Sequence, residues 1–236
     1  MAKTVTVKAA TLVRDLTVYP RHTVDDTHIR ELVRALEAGH TLPPVIAELG
    51  TRRQVDGIHR TAAVLRHFGA DAEIEVQWRT YASDADLLEE AIRLNAGHGR
   101  RLAPYDKARC IALAEDIGLT PDRTAAAMGM TVERMDDLRL RKTAIGPGAG
   151  LIPIKATSVP YAGRPMSAAQ VTGNHRAGGM GQTFYVNQVI NLIESDLLDT
   201  SNARLMERLA HLMALLLQTC GVASSASVVT DEEEVA

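Results

Sequence analysis

Residues 55–60, Val55-Asp56-Gly57-Ile58-His59-Arg60, combine a strand end, a glycine turn and a helix start. A helix N-terminus presents unpaired N–H groups and the positive end of the helix dipole, so it attracts anions. Glycine lets the backbone approach a ligand closely. His59 and Arg60 add donors beside that point, and a guanidinium can grip a phosphate through two parallel bonds. The chemistry expected here is a phosphate cradle built from Asp56, Gly57, Ile58, His59 and Arg60. The same residues also fit a plain glycine turn with solvated basic side chains, Asp56 capping the turn.

A second constellation spans residues 120–142. Thr120-Pro121 is an N-cap followed by proline at the first helical position, which is a helix start. Gly129-Met130 then turns the chain, and Thr131 caps another helix. Two short helices joined this way match a helix-turn-helix. Val132, Met135 and Leu138 give the second helix an inner face. Thr131 and Arg134 would approach bases, Arg139, Arg141 and Lys142 would hold phosphate, and Arg123 is a further DNA-binding candidate. Asp136 and Asp137 on the same helix favour the alternative of an ordinary helical hairpin.

The elements that must position these groups follow from periodicity. Val5–Val7 and Leu16–Val18 read as strands, and 27–38 as a helix capped by Asp25 or Asp26. Residues 43–49 and 54–56 read as strands joined by a hairpin turn. A helix over 60–68 ends at Gly69, and 74–78 alternates as a strand. Helices are expected over 85–95, 104–117, 121–128 and 131–142. Residues 146–182 hold eight glycines and four prolines and read as a linker or long loop. Gly178-Gly179-Met180-Gly181 lacks the Lys and Ser/Thr of a P-loop and reads as a turn. Helices follow over 184–198 and 202–220. The second carries an apolar stripe from Leu205 to Leu217, which must pack on the chain or on another copy.

Composition bounds the classes. The chain has 236 residues, 46% hydrophobic and 23% charged, so it is globular rather than disordered. Aromatics are only 3%, so the core is aliphatic. Arg outnumbers Lys 21 to 5, which fits a GC-rich bacterial or phage coding bias. Cys110 and Cys220 have no CxxC spacing, which argues against a disulfide framework and a zinc site. No apolar run reaches the length of a membrane span, and residues 1–6 do not read as a secretory signal. The expected location is the cytoplasm, at a bacterial nucleoid or in a phage-infected cell, with no membrane partner. Net charge is −3, unlike a general nucleic-acid binder. Residues 93–145, however, carry 10 basic against 7 acidic groups, while both flanks are net negative and 231–234 form an acidic tail.

The order of elements around Gly57, with Arg21 after Pro20 and Asn95 on a later helix, resembles the ParB/sulfiredoxin-like superfamily. It is more similar to the N-terminal half of ParB-type partition proteins and ParB-like transcription regulators. The resemblance covers roughly residues 5–143. It implies that the Gly-x-x-Arg turn, here Gly57-Ile58-His59-Arg60, binds nucleotide phosphate, with Arg21, Asn95 and His98 around it. Partition members have Gly-Glu-Arg-Arg and bind CTP with magnesium, so CTP is the implied cofactor. Leu94 replaces the family's acidic residue and His98 its arginine, a departure from the pattern that goes with magnesium. The run Asn95-Ala96-Gly97-His98-Gly99 is closer to that of ParB-like regulators. Sulfiredoxins carry a catalytic cysteine in the turn, where this chain has Ile58.

The expected fold class is therefore α+β. A small ParB/sulfiredoxin-like mixed domain (1–82) would precede an all-α helix-turn-helix domain (83–145). A linker (146–182), a C-terminal helical hairpin (183–220) and an acidic tail (221–236) would follow. The implied function is a regulator or partition factor that binds double-stranded DNA, gated by nucleotide, and a homodimer through its C-terminal helices. No catalytic or metal-ligating residue is singled out. The expectation is not a metabolic enzyme, with at most weak nucleotide hydrolysis. The alternatives are a nucleotide-dependent phosphotransferase or nuclease on the same scaffold, and a non-catalytic adaptor.

Overall fold

The computed structural model describes residues 4–97 and 101–220. Two compact units divide the chain after Gln182.

In the first unit, β1 (Thr4–Lys8), β2 (Val45–Glu48), β3 (Gln54–Asp56) and β4 (Glu73–Arg79) form one sheet in the order β1-β4-β2-β3. β4 runs antiparallel to β1 and parallel to β2, and β3 returns antiparallel beside β2. Strand alternation splits β2 between two faces. Val45 and Ala47 join Val64, Ile74 and Val76 on the side covered by α2 (Ile58–Phe68). Ile46 faces the other side with Val18, Val55, Leu87 and Ala91. α1 (Asp26–Glu37) is capped by Asp25, whose carboxylate accepts from the Thr27 and His28 amides, and it packs beside α2.

α3 (Asp84–Gly97) has two apolar stripes at i,i+4 spacing. Leu87 and Ala91 enter the cluster under the sheet. Leu88 and Ile92 enter a separate helical core with Ile111, Leu119, Ala125 and Met135. That core is shared by α4 (Pro104–Ile117), α5 (Pro121–Ala127) and α6 (Val132–Lys142). Because α3 is buried in both clusters, the expected division at residue 82 does not separate two compact bodies.

Two expectations need correction. Leu16–Val18 is not a strand. The Asp15 carboxylate accepts from both the amide and the hydroxyl of Thr17, at 2.9 and 2.6 Å, and folds the segment into a turn. Residues 146–182 are not a plain linker. β5 (Thr143–Ile145) leaves α6 directly and pairs antiparallel with β6 (Leu151–Pro153). A 3-10 segment (Ala156–Tyr161) and α7 (Ala168–Arg176) follow. Ala144, Ile154 and Met166 form a small core with Tyr161 and Val171. Buried Asn174 accepts from the Lys155 amide and donates to the Pro153 carbonyl, tying α7 to the hairpin.

In the second unit, α8 (Gln182–Glu194) and α9 (Ala203–Cys220) contain no buried residue. Leu212, Met213, Leu216 and Leu217 of α9 are exposed. The acidic tail lies outside the described residues. No helix among the described residues is long and apolar enough to cross a membrane.

Candidate functional site

The β3–α2 turn depends on Gly57 for two reasons. Its φ is +98°, in the left-handed region. A Cβ there would also lie 2.5 Å from Val45 Cγ1, inside the sheet core. Glycine as N-cap offers no side-chain oxygen, so the first turn of α2 has no side-chain cap. The first helical bond runs from the Thr61 amide to the Gly57 carbonyl. The Ile58, His59 and Arg60 amides are therefore unpaired helix-start donors.

These amides border a cleft of about 490 Å³. The expected residues Arg21, Asp56, Gly57, Ile58, His59, Arg60 and Asn95 all line it, as does Leu94. His98 lies outside the described residues. The cleft also takes in Tyr19, His22, Asp25, His28, Arg101 and Asp106, which sequence reasoning missed as site residues.

The side chains have different jobs from those expected of a phosphate cradle. Arg60 turns inward: Nη1 donates to the Pro43 and Pro44 carbonyls at 2.8 and 2.7 Å. Its Nη2 donates to Asp56 at 2.6 Å. The guanidinium thus clamps the prolines ahead of β2 to the end of β3. His59 Nε2 accepts from the Asp25 amide at 3.0 Å, which requires an unprotonated nitrogen there. Burial, then His28 and Arg21, push its pKa down to about 4. His59 is a neutral acceptor that joins the start of α1 to the start of α2, and His28 packs edge-on against it.

The far wall is equally well connected. Asn95 is buried; its amide donates to the Ala91 carbonyl, and its oxygen accepts from Arg21 Nε at 3.1 Å. Asp106, also buried, accepts from the amide and Nδ1 of His22 and from the Ala103 amide. Arg109 of α4 donates to the Leu16 and Tyr19 carbonyls, and Cys110 Sγ to the Pro20 carbonyl. Burial pushes the Cys110 thiol up to about 12, so it is not a thiolate nucleophile near neutral pH. Tyr19 is the exception in this network. It is only 4% exposed, yet its buried hydroxyl has no hydrogen-bond partner among the described residues. Burial pushes its pKa up to about 12.

On the α5–α6 pair, Gly129 turns the chain at φ +66°. The Thr131 hydroxyl accepts from the Arg134 amide and caps α6. Arg123 is paired with Asp86 and Glu89 of α3, and Arg139 with Glu115 of α4. Arg141 is paired with Asp137 on its own helix and remains largely exposed. Arg134 is exposed, and its guanidinium has no partner among the described residues. Of the six residues expected to meet DNA, Arg134, Arg141 and Lys142 carry charge not spent on another helix. Among the described residues, no group of three or more His, Cys, Asp or Glu side chains converges as a metal site.

Comparison with known proteins adds the following. No family model matches the chain. It is 34% identical over 119 residues to the transcriptional regulator NovG of Streptomyces niveus, covering 50% of this chain and 36% of that protein. The chain thus matches about a third of that regulator's length. A C-terminally truncated chromosome-partitioning protein ParB from Caulobacter crescentus, complexed to the centromeric parS site, is 20% identical with a TM-score of 0.41. That match covers 57% of this chain and 70% of the other. The same protein complexed with CTP-gamma-S gives 20% identity and a TM-score of 0.36, covering 58% and 78%. A pNOB8-like ParB N-domain gives 16% identity and a TM-score of 0.38, covering 65% and 57%.

Proposed function

We propose that this protein is a ParB-like, DNA-binding transcription regulator whose hold on DNA is gated by an anionic ligand in the cleft. The observation that carries the reading is α3. One of its stripes is buried under the sheet that presents the cleft, and the other in the core of the α5–α6 pair. Asn95, near its end, holds Arg21 at the cleft wall. A ligand that moves this wall would be felt by the helix pair through shared packing. On this reading Arg134, in the first turn of α6, would meet base edges, and Arg141 and Lys142 would contact phosphate. Regulation is favoured over partition by the Asn95–Gly99 run and by the match to a transcriptional regulator.

Selection from random double-stranded DNA, followed by mobility shifts at two salt concentrations, tests this. A selected site should bind with affinity that falls steeply with salt. Arg134→Ala should weaken it by about tenfold or more while leaving the fold intact. No selected site, or unchanged affinity in the variant, would overturn the DNA reading.

The exposed apolar face of α9 supports a homodimer through the C-terminal helices. Sedimentation should give a dimer for the full chain and a monomer for Leu212→Asp combined with Leu216→Asp. A monomeric wild type would remove this part of the reading.

A further inference from the structure

Of the chain's 29 acidic residues, none falls between Asp137 and Glu194. The same stretch carries Arg139, Arg141, Lys142, Lys155, Arg164 and Arg176. The negative balance of the C-terminal part therefore comes from Glu194 onward, and the folded module over 143–177 holds cations alone. Arg139 is paired with Glu115 and Arg141 with Asp137. Lys142, Arg164 and Arg176 pair with no carboxylate among the described residues. Arg164 and Arg176 are exposed, and Lys142 is half-exposed. Charges of one sign gathered on one module repel each other and attract a polyanion.

The module is built onto α6. β5 begins at the residue after that helix, and the Ile154 amide donates to the Lys142 carbonyl at 2.9 Å. Leu151 of β6 packs against the helical core that contains Met135 of α6. The segment bearing Arg164 runs along β5: the Ile145 amide donates to the Arg164 carbonyl and the Gly163 amide to the Thr143 carbonyl. Paired segments lie about 5 Å apart, so the Arg164 backbone is one strand spacing from the strand that leaves α6. A major groove about 12 Å wide has a phosphate ridge on each side. A helix lying in that groove brings the cations beside its last turn to a ridge. The hairpin tip offers no obstacle. Pro147, Gly148, Ala149 and Gly150 are all exposed, and none has a long side chain to hold a second surface away. An acidic protein would match the charge, but it would not account for cations continuous with a helix already read as meeting DNA.

We propose that the β5–β6 hairpin and the Arg164 segment form a second DNA contact, which grips phosphates beside the groove entered by α6 and reads no sequence. The proposal rests on the DNA reading of α6 and adds a surface to it.

The test measures affinity of the full chain for two duplexes of equal length, the selected site and a random sequence, over a series of salt concentrations. Arg164→Ala should weaken both by the same factor, about tenfold, and make the logarithmic salt slope shallower by about one. Gly148→Lys should do the reverse, tightening both duplexes and steepening the slope by about one. A Cβ at Gly148 meets nothing within 4 Å, and a folding defect does not tighten binding, so this variant decides the matter if Arg164→Ala is unstable. Arg34→Ala removes the same charge from the exposed side of α1 and should leave the slope unchanged. Arg134→Ala should instead lose the preference for the selected site. Unchanged slopes in Arg164→Ala and Gly148→Lys, with Arg134→Ala still impaired, overturn the second contact and keep the DNA reading of α6. A slope change in Arg34→Ala as large as in Arg164→Ala makes the effect one of net charge and also overturns it. A loss confined to the selected site makes Arg164 a sequence reader, against the proposal. Failure of the wild type to bind either duplex removes both readings.

Discussion

Arg60 and Arg134 occupy the same place in two different helices. Each is the third residue after an N-cap, Gly57 for α2 and Thr131 for α6. At α2 the cap has no side chain, so the amides stay open, while the guanidinium is spent on Pro43, Pro44 and Asp56. At α6 the Thr131 hydroxyl accepts the Arg134 amide, while the guanidinium is left to solvent. One helix start offers backbone donors and keeps its arginine for the fold. The other caps one backbone donor and leaves the arginine to solvent. An identical residue at an identical position is thus a clamp in one case and a solvent-exposed group in the other, and the choice of cap goes with the difference.

Substitutions at these two helix starts should differ widely in effect. Gly57→Ala should be the most damaging. It places a methyl group against Val45 and holds a non-glycine residue at positive φ, and a cost of about 3 kcal/mol in urea unfolding is expected. A loss under about 1 kcal/mol would mean that the turn relaxes. Arg60→Ala comes next. It strips two carbonyls and Asp56 of their donor, so about 2 kcal/mol should be lost. Arg134→Ala, at the matching position, should change stability by less than about 0.5 kcal/mol. Similar losses from the two arginine variants would erase the distinction drawn here.

The smallest effect expected is the pH dependence set by His59. Its folded pKa of about 4 lies below the ordinary value near 6.5. Between those values the unfolded chain takes up a proton that the folded chain refuses. The contribution of neutral His59 is therefore complete above about pH 6.5 and is lost as pH falls towards 4. His59→Gln should make stability fall less steeply over that interval than it does in the wild type. Parallel curves would place the titration elsewhere.

Much of the cleft was legible. The glycine turn could be placed from its motif, Arg21 and Asn95 through the family resemblance, and they do line one cleft. What Arg60 does there was not legible. Its carbonyl partners sit 16 and 17 residues earlier in the chain and are set by the path of two prolines. Tyr19 was passed over because nothing local marks a hydroxyl that the fold seals without a partner. The 143–177 module was missed for a different reason. Strands of three residues, β5 and β6, are too short to show alternation between glycines and prolines. One signal was there to be read: Ser167 and Gln170 form a capping box that opens α7.

The double burial of α3 also sets how the first unit comes apart. A helix whose neighbouring stripes belong to two cores cannot be peeled from either without opening both. Local unfolding should spare it, and its central amides should exchange with deuterium only through an opening that includes the sheet and the helix pair together. In kinetic language, the cleft and the α5–α6 pair are expected to open as a single foldon with α3 as its spine.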